Sequence, residues 1–598
     1  MNRTASLIGK GKILDFLTGL ERTRDFSILA MDTLDWDILF DYQHQCRNAG
    51  QPFVSVVLDL AGIMVGPFVD PVLPGCLQCL NRRMQTNAIG PRPTLPECTI
   101  LAIPPTLAIL GELLNDREFE IGEFLMINAL TLECSHHRFL PHPDCECCFP
   151  QCRVDHPFRL TVNSDPSGEY RGLRVLNPKI ELQNLITQYV DPVSGLVPRI
   201  HRWYEGQELA YSTAEIALPY REIGVGRTDK PLESDQIAVL EALERYSAVR
   251  PPTHVIIDSV RNLGISALDP TELILHAPHQ YCEPAVHLAE YSPDNVYRWV
   301  WGWTIDKNEE VLVPEQVAYY GVRTPDRFLY EISNGCAIGG SIEEAILHGL
   351  LEVIERDAFL TTWYGRLPVY RVDVRGSNLG TANRGLIQKI ESRGYDVSIF
   401  YLDHDTGIPA FWVMATSRRD ELPRTHSAAA AHPDAQRGIR NALFELVTML
   451  PSAEFAAKNS VARAAVMVAD STMVQAMSDH SLLYSHPDAY PRLRFLMDAP
   501  EIDVQGIAQV AWPQRDVGKM LQSVVQRIAS LGYHIVIIDE TQPEHTVVNL
   551  SSVKVLVPGF LPMTFGHQYR RVYQSTRLET LIRTRGGFFD PVYPHPFP

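Results

Sequence analysis

The chain has no apolar run of about 18 residues, the minimum that spans a bilayer as a helix. Its opening stretch, MNRTASLIGKGKILDF, carries neither the long apolar core nor the small-residue cleavage site of a secretory signal. A cytoplasmic protein without a membrane partner is therefore expected. Basic runs are missing too, and the net charge is −18. That balance opposes the phosphate neutralisation a nucleic-acid surface requires, so no nucleic acid is expected as partner. No G-x-x-x-x-G-K-[ST] loop is present: Gly9-Lys-Gly-Lys12 is too short, and Gly224-Val-Gly226 lacks a third glycine. The chain also lacks a G-x-S-x-G nucleophile elbow and any evident Ser-His-Asp or Cys-His constellation, which leaves a hydrolase reading without an anchor. Low-complexity segments and solenoid repeats are absent.

What remains is an ordinary globular composition, 45% apolar and 21% charged over 598 residues. It has enough material for large cores and two to four domains. The cysteines are crowded: nine of the eleven fall within the first 152 residues. In a reducing compartment such crowding points to metal more than to disulfides. Cys76-Leu-Gln-Cys79 and Cys145-Glu-Cys147-Cys148 supply two C-x-x-C knuckles. Pairing Cys76 and Cys79 with Cys145 and Cys148 gives four thiolates suited to tetrahedral zinc in a closed, structural site. Cys147, Cys152, Cys134 and His142 are nearby substitutes.

Along the chain, residues 1–155 read as one unit, with a helix over Asp41–Ala49, a buried strand from Phe53, and a helix begun near Pro105. Residues 156–200 read as a linker containing the turn signal Asp191-Pro-Val-Ser-Gly. From about 201 to 598, strands alternate with helices in an α/β (α+β) domain. The strand-like runs start at Val255, Val397, Ala410 and His534; the helices span 234–249, 341–360, 436–450 and 515–531.

The motif Leu-Glu-x-x-Glu-Arg occurs twice, as Leu240-Glu241-Ala-Leu-Glu244-Arg245 and Leu351-Glu352-Val-Ile-Glu355-Arg356. Both copies sit in apolar helical stretches. An unpaired buried carboxylate costs several kcal/mol, roughly, so each copy calls for a compensating cation. A bound metal is the most economical, and Arg245 and Arg356 add forks suited to phosphate. In the second copy Glu344, His348, Glu352 and Glu355 fall at steps of four, four and three, on one helical stripe. Apolar residues fill most of the remaining circumference, so that helix is buried and its stripe faces a partner or a wet, ion-filled cavity. Without a phosphate-cradling loop, any nucleotide would be held by glutamates bridged to it through Mg²⁺. The last residues, Pro591-Val-Tyr-Pro594-His-Pro596-Phe-Pro598, form a stiff extended tail that can deliver a free carboxylate to a fixed place, with Tyr593 and Phe597 to bury.

Ser333-Asn-Gly-Cys-Ala-Ile-Gly, Glu344, Leu351-Glu352-Val-Ile-Glu355-Arg356-Asp357, Glu241-x-x-Glu244-Arg245-Tyr-Ser and the terminal Pro-His-Pro-Phe-Pro together resemble the YcaO family. The resemblance is closest to its azoline-forming cyclodehydratases, which act on ribosomal peptides. Residues 1–155 resemble the truncated ThiF-type half found in such pathways and, lacking a Gly-rich loop, are expected to dock rather than adenylate. The resemblance implies an ATP-dependent reaction. A Cys, Ser or Thr side chain attacks the preceding backbone carbonyl, ATP phosphorylates the oxyanion, and phosphate leaves to give a thiazoline or oxazoline. It implies that Glu244, Glu344, Glu352 and Glu355 bind nucleotide and Mg²⁺, and that Glu241 and Arg356 line the nucleotide. Arg570 or Arg571 would contact phosphate, and the Pro598 carboxylate would accept a proton. Ile237 and Gly340 depart from the family pattern, standing where a small or hydroxyl residue and an Asn are common.

The expected partners are a ribosomal precursor peptide, a second copy of the chain, and a separate leader-binding protein with winged-helix and ThiF-like character. The last is expected because the stretch before Phe53 is too short for a winged-helix module. Thioamide or amidine formation, or a docking scaffold without catalysis, are the alternatives. Phosphoryl transfer asks for positioning and charge neutralisation rather than a protein nucleophile, which agrees with the residues present.

Overall fold

The computed structural model describes residues 7–10, 12–18, 26–59, 62–87, 110, 120–128, 131–149, 157–162, 170–171, 173–205, 209–218, 222–264, 267–419, 422–507 and 516–597. The helix expected from Pro105, Cys152, and the terminal Pro598 lie outside them.

The N-terminal unit is built on a six-stranded sheet in the order β1-β2-β3-β4-β5-β6: Leu7–Lys10, Ser27–Met31, Phe53–Asp59, Gly62–Val69, Glu123–Asn128 and Cys134–Arg138. The first three strands run parallel and the rest antiparallel. β3 is apolar on both faces because both are covered: Phe53 and Val57 join one core, Val54 and Val56 the other. Helix α1 (Lys12–Thr18) follows β1 and α2 (Trp36–Ala49) follows β2. Asp35 caps α2 by accepting from the Asp37 and Ile38 amides, and Gly50 ends it at φ 64°. Helix α3 (Leu77–Asn87) carries the first cysteine knuckle into that core.

The stretch expected as a linker is ordered where described. It holds the short hairpin β7-β8 (Tyr170–Arg171, Arg174–Val175) and helix α4 (Leu182–Tyr189), which buries Leu185 and Tyr189. A three-stranded antiparallel sheet follows, β9 (Ile200–Glu205), β10 (Leu209–Glu215) and β11 (Ile223–Thr228). Against it lies α5 (Pro231–Ala248), begun by a proline at its first turn. Gly224 and Gly226, too few for a phosphate loop, serve this packing: a Cβ at Gly226 would stand 1.8 Å from the Ser234 carbonyl oxygen, and one at Gly224 2.2 Å from that of Ala238. The helix backbone comes that close only to glycine.

Two further sheets complete the chain. One orders β12 (Ile256–Ser259), β13 (Val296–Thr304), β21 (Val536–Asp539), β22 (Ser551–Leu556) and β15 (Cys336–Gly339), with β14 (Glu309–Pro314) beside β13. The other orders β19 (Thr425–Ala431), β18 (Ala410–Ser417), β17 (Tyr395–Leu402), β16 (Tyr370–Val372) and β20 (Glu501–Ile502). Between them runs α6 (Ile342–Gly365), buried almost all round, with Trp363, Trp412 and Val555 in its shared core. The expected end at 360 falls short of the observed one because Trp363 and Tyr364 still face apolar neighbours. Helix α7 (Ala435–Asn459) likewise continues beyond 450, through Pro451; an in-helix proline removes one hydrogen bond without ending a helix that tertiary packing holds. The observed architecture is the mixed α/β class expected.

Candidate functional site

Helices α5 and α6 bring the two acidic motifs to one cavity of about 870 Å³, which also meets β15 and the β7–β8 segment. Glu241, Glu244, Glu344, His348 and Glu352 all line it. Each of the four glutamates is steadied by a backbone N–H from an opposing segment. Val225 N donates to Glu241 (2.9 Å), Ile338 N to Glu244 (3.1 Å), Val175 N to Glu344 (2.8 Å) and Gly335 N to Glu352 (2.9 Å). A carboxylate gripped at one oxygen keeps its rotamer fixed. Arg245 adds 2.8 Å to Glu241, and Arg356 3.3 Å to Glu352.

The cavity is acidic. Burial, then the charges of Glu241 and Glu352, push the Glu244 carboxyl well above its usual range against the pull of Arg245. Glu355 does not line the cavity. Burial raises it to about 8, with Glu445 and Glu352 reinforcing and Arg356 opposing. One terminal nitrogen of Arg356 pairs with Glu355 at 3.4 Å and the other with Glu352 at 3.3 Å.

Like Glu241 and Glu352, Glu344 has its second oxygen engaged by an arginine, Arg174 at 2.8 Å. Leu173 accepts from His348 at 3.2 Å, and burial keeps that imidazole neutral. The segment Leu173–Pro178 therefore forms one wall of the cavity. Its contribution was not legible in the sequence, because neither composition nor periodicity marks a two-residue strand. Ile237 and Gly340, the two departures from the family pattern, both line the cavity. A Cβ at Gly340 would meet the Glu344 Oε2 at 3.5 Å, ordinary contact, so the glycine there is not forced by space.

Arg570 and Arg571 do not line this cavity. Arg571 is buried and spent on Glu331 and on the carbonyls of Ile274, Leu273 and Tyr330; Arg570 donates to His567 O and to the Tyr573 hydroxyl. The donors of Arg571 are thus committed to holding the fold.

The tail is docked through Phe597. Asp590 pairs with Arg366 (2.8 Å), Trp363 Nε1 donates to Tyr593 O (3.1 Å), the Tyr484 hydroxyl to Pro594 O (2.7 Å), and His480 Nδ1 to His595 O (2.8 Å). Phe597 is 2% exposed, edge-on to Phe359, with the Arg356 guanidinium 4.0 Å from its ring centroid. Arg356 thus joins the acidic motif of α6 to the end of the chain.

A second constellation lies in the N-terminal unit. The sulfurs of Cys76, Cys79, Cys145 and Cys148 all lie within 4.8 Å of one another. Cys76–Cys145 is 3.5 Å, Cys79–Cys148 3.6 Å and Cys76–Cys79 3.8 Å. A tetrahedron of Zn–S bonds near 2.3 Å has edges of about 3.8 Å, so the four thiols already match that shape. Sharing protons among them pulls Cys148 down and pushes Cys79 up, chiefly through Cys145 in both cases. Of the substitutes, Cys147 sits at the rim beside Gln43 (3.1 Å), Cys134 is exposed, and His142 Nδ1 accepts from the Asp144 amide at 3.2 Å.

The knuckles are bolted to α5. Arg83, on α3, is buried against Glu544 (2.7 Å), the Tyr246 hydroxyl (3.2 Å) and the carbonyls of Leu140 (3.2 Å) and Pro141 (2.9 Å). Asp144, beside Cys145, pairs with Arg250 just past α5.

A family model described as YcaO cyclodehydratase, ATP- and Mg²⁺-binding, matches residues 225–561, more than half of the chain. Among solved structures, a heterocyclase in complex with substrate and cofactor shares the fold with a TM-score of 0.75 at 20% identity, covering 99% of this chain and 85% of that one. The heterocyclase TruD gives 0.64 at 19% identity, covering 94% and 80%. Among curated proteins, an uncharacterized protein of Methanothermobacter thermautotrophicus is 30% identical over 214 residues, 35% of this chain and 52% of that protein. The uncharacterized protein in the tfuA 3′ region of Rhizobium leguminosarum bv. trifolii is 29% identical over 176 residues, 27% and 41%. The chain spans about half the length of the curated relatives it matches.

Proposed function

From the premise that this chain belongs to the YcaO cyclodehydratase family, we propose that it converts Cys, Ser or Thr residues of a ribosomal precursor peptide to thiazolines or oxazolines at the expense of ATP. The observation that supports this most is the convergence of Glu241, Glu244, Glu344 and Glu352 on one cavity. The Glu244 carboxyl, pushed up by burial and by the charges of Glu241 and Glu352, supports a divalent cation in this cavity. Bound there, Mg²⁺ supplies charge neutralisation for the transferring phosphoryl group.

Glu244, Glu344, Glu352 and Glu355 would hold Mg²⁺ and nucleotide, with Glu344 exchanging its Arg174 contact to do so. Glu241 and Arg356 would line the nucleotide. The peptide's thiol or hydroxyl attacks the preceding carbonyl carbon and gives up its proton. The oxyanion takes the terminal phosphoryl group of ATP. Phosphate then departs with the C–O bond, and loss of the amide proton leaves C=N. The Pro598 carboxylate, carried on the docked tail, would accept a proton in this sequence. Positioning a base within about 3 Å of its proton is the main structural demand, and the buried contacts along Asp590–Phe597 support this reading.

Cys76, Cys79, Cys145 and Cys148 would hold a structural Zn²⁺. The N-terminal unit would act as a truncated ThiF-like docking domain for a separate leader-binding protein, in a cytoplasmic homodimer. The decisive experiment is Glu352→Gln, incubated with MgATP, precursor peptide and leader-binding partner, and read by mass spectrometry. The expected result is a folded variant that no longer removes water from the peptide. A folded variant that removes water at the parent rate overturns the reading, as does exchange of oxygen for sulfur by the parent.

A further inference from the structure

Beside the carboxylate cavity lies a second one of about 600 Å³, lined by Arg245, Arg323 and Arg327 with an aromatic and apolar shelf. The two adjoin along the chain. Arg245 lines the second while bonding Glu241 of the first. Ser333 lines the second, and Gly335, two residues on, donates to Glu352 of the first.

The charges here are unbalanced. Glu222 is answered by Arg245 at 3.2 Å, and Glu331 by Arg571 and Lys554. Among the described residues neither Arg323 nor Arg327 has a carboxylate within salt-bridge distance. Arg327 spends its Nε on the Leu329 carbonyl at 2.9 Å, leaving its two terminal nitrogens uncommitted among the described residues. Burial, aided by the like charge of Arg323, holds its guanidinium below the usual range in spite of Glu331. In a chain of net charge −18, two unanswered guanidiniums at a cavity wall form a local anion receptor. The rest of the lining defines the anion's carrier. Tyr330 stacks on Tyr569 with ring centroids 4.6 Å apart, and Leu288, Ile332 and Met477 flank them. Such a shelf suits the side chains of a peptide and offers little to a phosphate group.

We propose that this cavity is a subsite for an acidic residue, Asp or Glu, of the substrate peptide close to the residue being cyclised, with Arg323 and Arg327 as the carboxylate receptors. This rests on the peptide-cyclising function proposed above. Arg327→Gln and Arg323→Gln remove charge without shortening the side chain severely, and Arg323, at an exposed position, serves alone if Arg327→Gln fails to fold.

The test uses cysteine-containing precursor peptides that differ only in Asp or Asn next to the cysteine, with binding measured by calorimetry and turnover by mass spectrometry. The Asp peptide should bind about tenfold or more tightly, the scale of one charge-assisted pair. In the variants that preference should collapse while MgATP affinity is retained. A parent enzyme that cyclises both peptides without preference overturns the subsite alone. Variants that lose MgATP affinity instead assign the cavity to phosphate and overturn it too. A parent that neither binds nor cyclises any peptide overturns the function, and the subsite with it.

Discussion

The Arg83–Glu544 pair offers a test of how the N-terminal unit supports the site. Both side chains are almost fully buried, at 4% and 1% exposure. Arg83→Met leaves the Glu544 carboxylate in a low-dielectric setting with the Tyr246 hydroxyl (2.8 Å) and the more distant charge of Arg250. Breaking a buried pair in this way costs about 3–5 kcal/mol. Glu544→Gln leaves Arg83 its two backbone carbonyls and costs less, about 2 kcal/mol. The double variant removes both charges, so its loss should fall short of the sum by about 2 kcal/mol. The assay is urea unfolding of the parent, both singles and the double, with zinc content checked throughout.

A pH dependence follows from the sign of the Glu544 shift. Burial alone would raise its carboxyl, but the charge and hydrogen bond of Arg83 outweigh burial and hold it below the ordinary value. A depressed carboxyl contributes stability above the unfolded value, about 4.3, and loses it as pH falls below that toward the folded one. The coupling should therefore be full at pH 7 and shrink below about pH 4. Because Tyr246 belongs to α5, which carries Glu241 and Glu244, Arg83→Met should also lower ATP turnover. Strictly additive single variants at pH 7, with coupling under about 0.5 kcal/mol, would refute the reasoning.

Cys76→Ala should release zinc and destabilise the N-terminal unit, since metal-binding free energy there is folding free energy. Elemental analysis of natively purified parent and variant decides it, and a zinc-free parent contradicts the assignment. Phe597→Ala removes a buried ring and its contact with Arg356, about 2–4 kcal/mol of docking for the end of the tail. Cyclisation should fall on the order of 10²-fold while MgATP affinity changes little. An unchanged cyclisation rate would show that the tail end has no part in proton transfer.

The two Leu-Glu-x-x-Glu-Arg motifs, the four-cysteine set and the proline-spaced tail could all be read from the sequence. In each, local spacing alone fixes the geometry. Helical periodicity puts Glu344, His348 and Glu352 on one stripe wherever the helix lies, and a C-x-x-C knuckle presents two sulfurs whatever surrounds it. Alternating prolines leave an extended path as almost the only choice. The apolar circumference of α6 likewise foretold its burial, because a helix apolar on most sides must cover them and leave its narrow polar stripe to a cavity.

The rest depended on contacts between residues far apart in the chain. That α5 and α6 face one another across one cavity follows from β15 lying between them. Gly224 and Gly226 read as a failed phosphate loop until the approach of α5 to β11 gave them a steric purpose. Arg570 and Arg571 looked alike as phosphate ligands. Only the positions of Glu331 and the carbonyls near residue 274 showed that Arg571 is spent on structure. Leu173–Pro178 carries no periodic signal, yet it walls the cavity through the Val175 amide, the Leu173 carbonyl and the Arg174 side chain. Local periodicity is written in neighbouring residues, whereas the partner of a buried charge is chosen by the packing of whole elements, which no short stretch of sequence contains.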